Sequence, residues 1–171
     1  MISSIRMTVI GIALAVFMPT VLAAADLPAP TGDPLLVVSG NIARTNTGDT
    51  ASFDAEMLSE LGGVKIATTT IWTDGVQDFT GVSLTVLLDA VGVTGGTLMA
   101  TAVNDYAVEI PVSDAVEGGP IVAYANGGAP MSVRDKGPLW IIYPYDSDTA
   151  YQSEVIYSRS IWQLDRIVVV E

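Results

Sequence analysis

The densest gathering of chemically capable side chains is Met131 to Asp146, MSVRDKGPLWIIYPYD. Arg134 and Lys136 flank Asp135, Gly137-Pro138 turns the chain, and an apolar run from Leu139 to Ile142 carries Trp140. The run ends in Tyr143-Pro144-Tyr145-Asp146. Arginine presents a planar fork of donors and lysine a compact charge. Indole and phenol rings add apolar faces with a polar handle. This set suits a flat, polar small molecule that is anionic or rich in hydrogen-bonding groups.

Residues elsewhere extend the set. Trp72 stands at the end of a β-branched run beside a turn, the best position for stacking among the tryptophans Trp72, Trp140 and Trp162. Stacking a planar heterocycle on an aromatic ring is worth roughly 1–3 kcal/mol, by analogy with nucleobases. Two such rings supply a large share of the about 8 kcal/mol of micromolar binding. Arg159, between Tyr157 and Trp162, is a further cation, and Asp105 and Asp146 are carboxylates able to accept from a guanine-like edge. Tyr106, Tyr124, Tyr143 and Tyr145 are amphipathic rings for a pocket mouth. Each has a plainer reading. Tryptophans pack in cores, Trp140 above all because its strand is apolar. Arg134 and Lys136 pair with Asp135, Asn104-Asp105 is turn chemistry, and Arg166 caps the edge of a terminal strand.

The elements that must position these residues are legible in part. Pro28, Pro30, Gly32 and Pro34 describe an extended arm. Leu35–Ser39 reads as a strand, Asn46–Asp49 as a turn, and Phe53–Leu61 as a short helix capped by Ser52 or Asp54 and stopped at Gly62-Gly63. Val64–Trp72 reads as a strand leading to a turn at Asp74-Gly75. Leu84, Leu87, Leu88 and Val91 fall at i, i+3, i+4 and i+7 behind Ser83 and before Gly92, the clearest helix of the chain. Four strands follow, Thr97–Val103, Tyr106–Val112, Ile121–Ala125 and Leu139–Tyr143, with a last one at Arg166–Val170. Strands predominate, so the class is α+β around a mixed sheet or compact barrel-like core with short helices.

Composition narrows function by exclusion. The chain has 171 residues, a formal charge of −12, and neither cysteine nor histidine. Arg6, the apolar run Met7–Leu22 and Ala23-Ala24-Ala25 describe a secretory signal peptide over 1–25, with a retained anchor as the alternative. Its removal leaves six cations against nineteen acids, or −13, in a single domain over 26–171. Such a balance opposes binding to nucleic acid, whose phosphates require Lys and Arg, and direct binding to anionic membrane. Without cysteine or histidine there is no disulfide, no ordinary zinc or copper site, no thiolate nucleophile and no imidazole base.

Four segments in order, FTGVSLTVLLDAVGV, NDYAVEIPVSDA, AYANGGAPMSVRDKGPLWIIYPYD and RSIWQLDRIVV, resemble the molybdopterin-binding domain of sulfite-oxidase-like oxidoreductases over roughly residues 35–171. The turn at Arg134–Ile141 and the Trp162-to-Arg166 close are the most specific parts. The resemblance implies that family's mixed α+β fold. In the enzymes a cysteine ligates molybdenum just before the segment matching Gly81–Leu88; here that region is Thr68–Trp72, and a hydroxyl replaces a soft thiolate poorly. The chain looks most like the metal-free exported members of this fold. By that resemblance it would be a periplasmic, non-catalytic sensor of a free pterin, in oxidised or reduced form. It would act by contact with the periplasmic region of a membrane-bound cyclic-di-GMP enzyme, with no molybdenum. Its ligand-binding residues would be Trp72, Asp105, Tyr106, Arg134, Lys136, Tyr143, Asp146, Arg159 and Trp162. By the same resemblance a hydroxyl of Thr68–Thr70 would reach the ligand where the cysteine stood. The alternative is a molybdopterin-dependent oxidoreductase with a cysteine-free metal shell.

Overall fold

The computed structural model describes residues 27–171. The signal-peptide reading of 1–25 lies outside them. The described elements run β1 (Leu36–Gly40), β2 (Ala51–Phe53), α1 (Ala55–Glu60), β3 (Val64–Thr70), β4 (Thr73–Ser83), α2 (Leu84–Val91), β5 (Thr97–Ala102), β6 (Ala107–Pro111), β7 (Ile121–Asn126), β8 (Ala129–Pro130), β9 (Leu139–Ile142), α3 (Glu154–Arg159) and β10 (Trp162–Val170). The class is mixed α+β, as the strand-rich pattern indicates. One sheet in the order β2-β1-β10-β9-β7-β4-β3 curls into a half-barrel, with β5 and β6 continuing from β10 and β8 lying beside β7. Among the described residues, no helix is long and apolar enough to cross a membrane.

β10 is the strand that organises the sheet. It pairs antiparallel with β5 along its length, with β9 at its start (Trp162 opposite Trp140) and parallel with β1 beyond Arg166. Register shifts at Leu164/Arg166 and Trp162/Leu164 frame this change of partner. Gln163 lies within the Trp162/Leu164 shift, with φ 53°, a left-handed conformation that non-glycine residues adopt rarely. Its backbone N–H donates to the Lys136 carbonyl at 3.0 Å, and its side-chain amide donates to the Val133 carbonyl at 2.8 Å. The bulge therefore ties the cation-bearing turn to the strand that carries Trp162.

The helix stripe packs as its spacing requires. Leu84, Leu87, Leu88 and Val91 are buried, and Gly92 closes α2 in the left-handed conformation. Leu87 is fully buried, so Leu87→Ala is expected to cost about 2–5 kcal/mol through lost transfer energy and an incompletely collapsed cavity. A lowered urea midpoint with unchanged m-value would record it. At α1 the cap is Asp54, whose carboxylate accepts from Met57 N–H at 2.9 Å and from Thr31 and Gly32 N–H at 2.8 Å each. These donors, Met57 first, hold the Asp54 carboxyl below its ordinary value against the opposing effect of desolvation. One carboxylate thus starts a helix and straps the proline-rich arm.

Two expectations need correction. Asp74-Gly75 is not the turn: Thr70 pairs with Thr73, so the β3–β4 hairpin closes over Ile71-Trp72 and Asp74-Gly75 lies inside β4. Thr70 and Thr73 hydroxyls bond at 2.7 Å and Thr70 Oγ1 accepts from Trp72 N–H at 3.1 Å, so side chains hold the turn. Phe53 belongs to β2 rather than to the helix. The sequence reading also passed over β4, β8 and α3.

Candidate functional site

The hairpin places Trp72 at its tip, and the tip folds back onto the sheet. Trp72 meets Trp140 at 5.8 Å, Trp162 at 5.7 Å, Tyr157 at 5.8 Å and Tyr145 at 6.3 Å between ring centroids. All three tryptophans of the chain therefore converge, because β9–β10 register sets Trp162 against Trp140 and the hairpin supplies the third. The interplanar angles at Trp72 are 59° to 85°, the tilted and edge-on arrangements that ring quadrupoles favour.

A cavity of about 290 Å³ opens against this cluster, lined by Trp72, Tyr106, Tyr157, Trp162, Asn104 and Ser158 with Ala102, Ser160 and Ile161. That volume is at the lower edge of the roughly 300–1,000 Å³ of small-molecule sites, room for a compact ring system. Trp162 is 38% exposed and Tyr106 59% exposed, so the mouth is aromatic. Among the described residues, no protein hydrogen bond engages the Trp72 or Trp162 indole N–H or the Tyr106 or Tyr157 hydroxyl. These rings keep their polar handles available. Lys136, itself left-handed with φ 70°, sets its ammonium 5.7 Å from the Trp140 ring and 5.8 Å from the Trp162 ring, within the range of cation–π attraction.

Of the residues singled out from sequence, the cavity brings together Trp72, Tyr106 and Trp162, with Lys136 against the same rings. Arg134 is exposed in the turn Val133–Asp135 and, among the described residues, makes no ion pair or side-chain hydrogen bond. Asp135 bonds instead to the Ser132 hydroxyl at 2.6 Å. The other four side chains are committed within the protein. Asp105, left-handed at φ 66° in a turn, pairs with Arg166. Tyr143 is fully buried and donates to Asp114 at 2.7 Å, so it does not line a mouth; burial and that carboxylate drive its phenol pKa far up. Arg159 pairs with Asp114 at 2.9 Å and faces a neighbouring depression that shares Tyr106 and Ser158 with the cavity. Tyr145 is buried too, donating to Ser160 Oγ at 2.7 Å, with its pKa pushed up to about 12 by desolvation. Trp140 is core, as its apolar strand implied, with its indole N–H on the Ser160 carbonyl at 3.1 Å.

Asp146 has a different task from the one its type suggested. Its carboxylate accepts from Thr69 N–H at 2.6 Å and from the Thr69 hydroxyl at 2.7 Å, and its own N–H donates to Thr68 Oγ1 at 3.2 Å. It latches the hairpin that carries Trp72. The Thr69 hydroxyl, then the Thr69 N–H, hold the Asp146 carboxyl below its ordinary 3.8. A depressed folded-state pKa gives stability that is present above the unfolded value and lost as pH falls through the folded one. Indole emission is thus expected to stay flat from neutrality down to about pH 4 and to change below it. In Asp146→Asn that acid step should be absent from the hairpin signal, which an acid titration of fluorescence records.

The threonine run that stands where the resemblance placed a metal-ligating cysteine is engaged within the protein. Thr68 is 1% exposed, with Oγ1 accepting from Asp146 N–H and donating to the Thr69 carbonyl. The hydroxyls of Thr69 and Thr70 are engaged as described, so none of the three is free to reach a ligand. Among the described residues no group of three or more acidic side chains is placed to hold a metal ion. The threonine hydroxyls are spent on holding the hairpin.

Sequence reasoning missed Tyr157 as a cavity wall, along with Asn104, Ser158 and Ser160. The available signal was Ser153-Glu154, which caps α3 through Ser153 Oγ on Ile156 N–H and so presents Tyr157 and Ser158. No protein-family model matches the chain, and no curated protein matches it.

Proposed function

We propose that this domain is an exported, non-catalytic pterin sensor with a sulfite-oxidase-type fold, acting by contact with the periplasmic region of a membrane-bound cyclic-di-GMP enzyme. The single observation that supports this reading is the aromatic cavity: Trp72, Tyr106, Tyr157 and Trp162 line a space of about 290 Å³. A pterin is flat, carries amino and ring N–H groups with a carbonyl, and matches walls that offer ring faces beside hydroxyl and amide groups. Asn104, Ser158 and the ring handles orient it; Lys136 holds the Trp140 and Trp162 faces in place. The chemistry this lining favours is recognition: its buried hydroxyl, Ser160 Oγ, accepts from Tyr145 and donates to the Ile156 carbonyl.

Signalling then follows from differential affinity. Ligand stabilises the hairpin arrangement that docks, and the population of docked sensor rises by no more than that difference. An acidic domain requires a basic patch on its partner, so their association should weaken steeply with salt. Denaturing the protein purified from its native compartment and analysing released small molecules by fluorescence and mass spectrometry tests the reading. Released pterin supports it, and an empty protein whose melting temperature ignores added pterins refutes it.

A further inference from the structure

Eight aromatic rings form one contiguous path, and its two ends differ chemically. From the partly exposed Trp162 the path runs to Trp72 at 5.7 Å, Tyr157 at 5.8 Å, Tyr145 at 5.7 Å and Tyr143 at 6.4 Å, with Trp140 and Phe79 branching inward and Tyr151 beyond Tyr143. Each step is a contact between π systems, the separation at which an electron passes from ring to ring without a mobile carrier.

We propose that this path carries oxidising equivalents from the exposed indoles to Tyr143, whose phenolic proton is taken by Asp114. The step balances as follows. A one-electron oxidant, such as a strongly oxidising oxyl radical, removes an electron from Trp162 or Trp72 and is itself reduced. An electron then moves from Tyr143 through Tyr145 and Tyr157 to refill the indole. The Tyr143 O–H bond breaks, its proton goes to an Asp114 carboxylate oxygen, and a neutral tyrosyl radical remains.

Geometry selects Tyr143 over the other phenols. Oxidation of a phenol is favourable when a base within hydrogen-bond reach accepts the proton. Tyr143 O–H donates to Asp114 Oδ2 at 2.7 Å, and Arg159 at 2.9 Å holds that carboxylate in place against the phenol. Tyr145 lacks this: its hydroxyl donates to Ser160 Oγ, which in turn donates a hydrogen bond to the Ile156 carbonyl at 2.8 Å. Tyr145 can relay an electron and has no base for its proton. Tyr143 is also fully buried, which shields the radical from solvent. The inference is independent of what fills the cavity.

Flash photolysis of the intact protein with a ruthenium tris-bipyridyl photo-oxidant and persulfate tests it, reading indole and phenoxyl radicals by transient absorption and freeze-quench electron paramagnetic resonance. The expected result is an indole radical that decays as a tyrosyl signal grows. In Tyr143→Phe the indole radical should persist several-fold longer, with more oxygenated tryptophan by mass spectrometry. Asp114→Asn keeps the ring and removes the base, so it should also lose the tyrosyl signal, and it serves if Tyr143→Phe fails to fold. Tyr151→Phe should behave as the unsubstituted protein. Equal indole lifetimes and tyrosyl yields across these proteins, or an indole radical in the unsubstituted protein that yields no tyrosyl signal, would overturn the proposal.

Discussion

Trp72→Ala is expected to weaken pterin binding by about 5–150-fold, the loss of one ring stack of ~1–3 kcal/mol. It should also cost roughly 3 kcal/mol of stability, the lower end for a tryptophan truncation because the ring is only half-buried. Both effects have one origin. Trp72 touches Trp140, Tyr145, Tyr157 and Trp162, so its removal opens the cavity wall and frees the hairpin tip together. Trp72→Phe keeps a ring and should recover much of the stability with less of the affinity. Titration of indole emission gives the affinity, and urea unfolding gives the stability. If Trp72→Ala binds pterin as tightly as the unsubstituted domain, the cavity is not the binding site.

Gly81→Ala should have the largest effect on folding. A Cβ at this position would lie 2.3 Å from the Val122 carbonyl oxygen and 2.6 Å from Ala123 Cα. These are backbone atoms of β7, the strand paired with β4 at the Thr80/Gly81 register shift, and they cannot move aside as a side-chain end would. The methyl must push β4 from β7, which disturbs both the hairpin and the start of α2. Destabilisation beyond about 3 kcal/mol is expected, at or above the upper end for overpacking. Gly95→Ala is the matched comparison, since a Cβ there meets nothing within 4 Å, and it should be neutral or slightly stabilising. Equal unfolding midpoints for the two variants would contradict the account.

The contrast between α2 and β4 shows what the sequence could and could not reveal. The α2 stripe is periodic and bounded by Gly92, so local pattern and burial agree. β4 carries Thr73, Asp74, Gly75, Gln77 and Asp78 before its first fully buried residue, Phe79. Its polar half hangs at the sheet margin, where no apolar alternation is required, and Asp-Gly marks a left-handed position, Gly75 at φ 70°, rather than the reversal. The real reversal at Ile71-Trp72 lacks glycine and is held by Thr70, Thr73 and the docking of the indole itself, a tertiary effect invisible to local propensity.

The candidate site was legible as residue types and not as a place. Aromatic content and the cations at Arg134 and Lys136 stood out, yet Tyr143 and Tyr145 lie in the interior and Arg159 is held by Asp114. The reason is that MSVRDKGPLWIIYPYD crosses from surface turn to core strand within a few residues, so neighbours in sequence face different environments. Trp72, Tyr106, Tyr157 and Trp162 come from four separate segments and meet through the folded-back hairpin and the pairing of β10 with β9 and β5. Asp146 illustrates the same point, as a carboxylate suited to a ligand edge that instead secures Thr69.

The most direct test is calorimetric titration of tetrahydropterin into the intact domain, with the Trp72→Ala and Trp162→Ala variants alongside. The account predicts one site per chain with a dissociation constant near or below ~1 μM, about 8 kcal/mol, weakened in both variants. Absence of binding heat together with an unchanged melting temperature, or binding indifferent to both tryptophans, would contradict it.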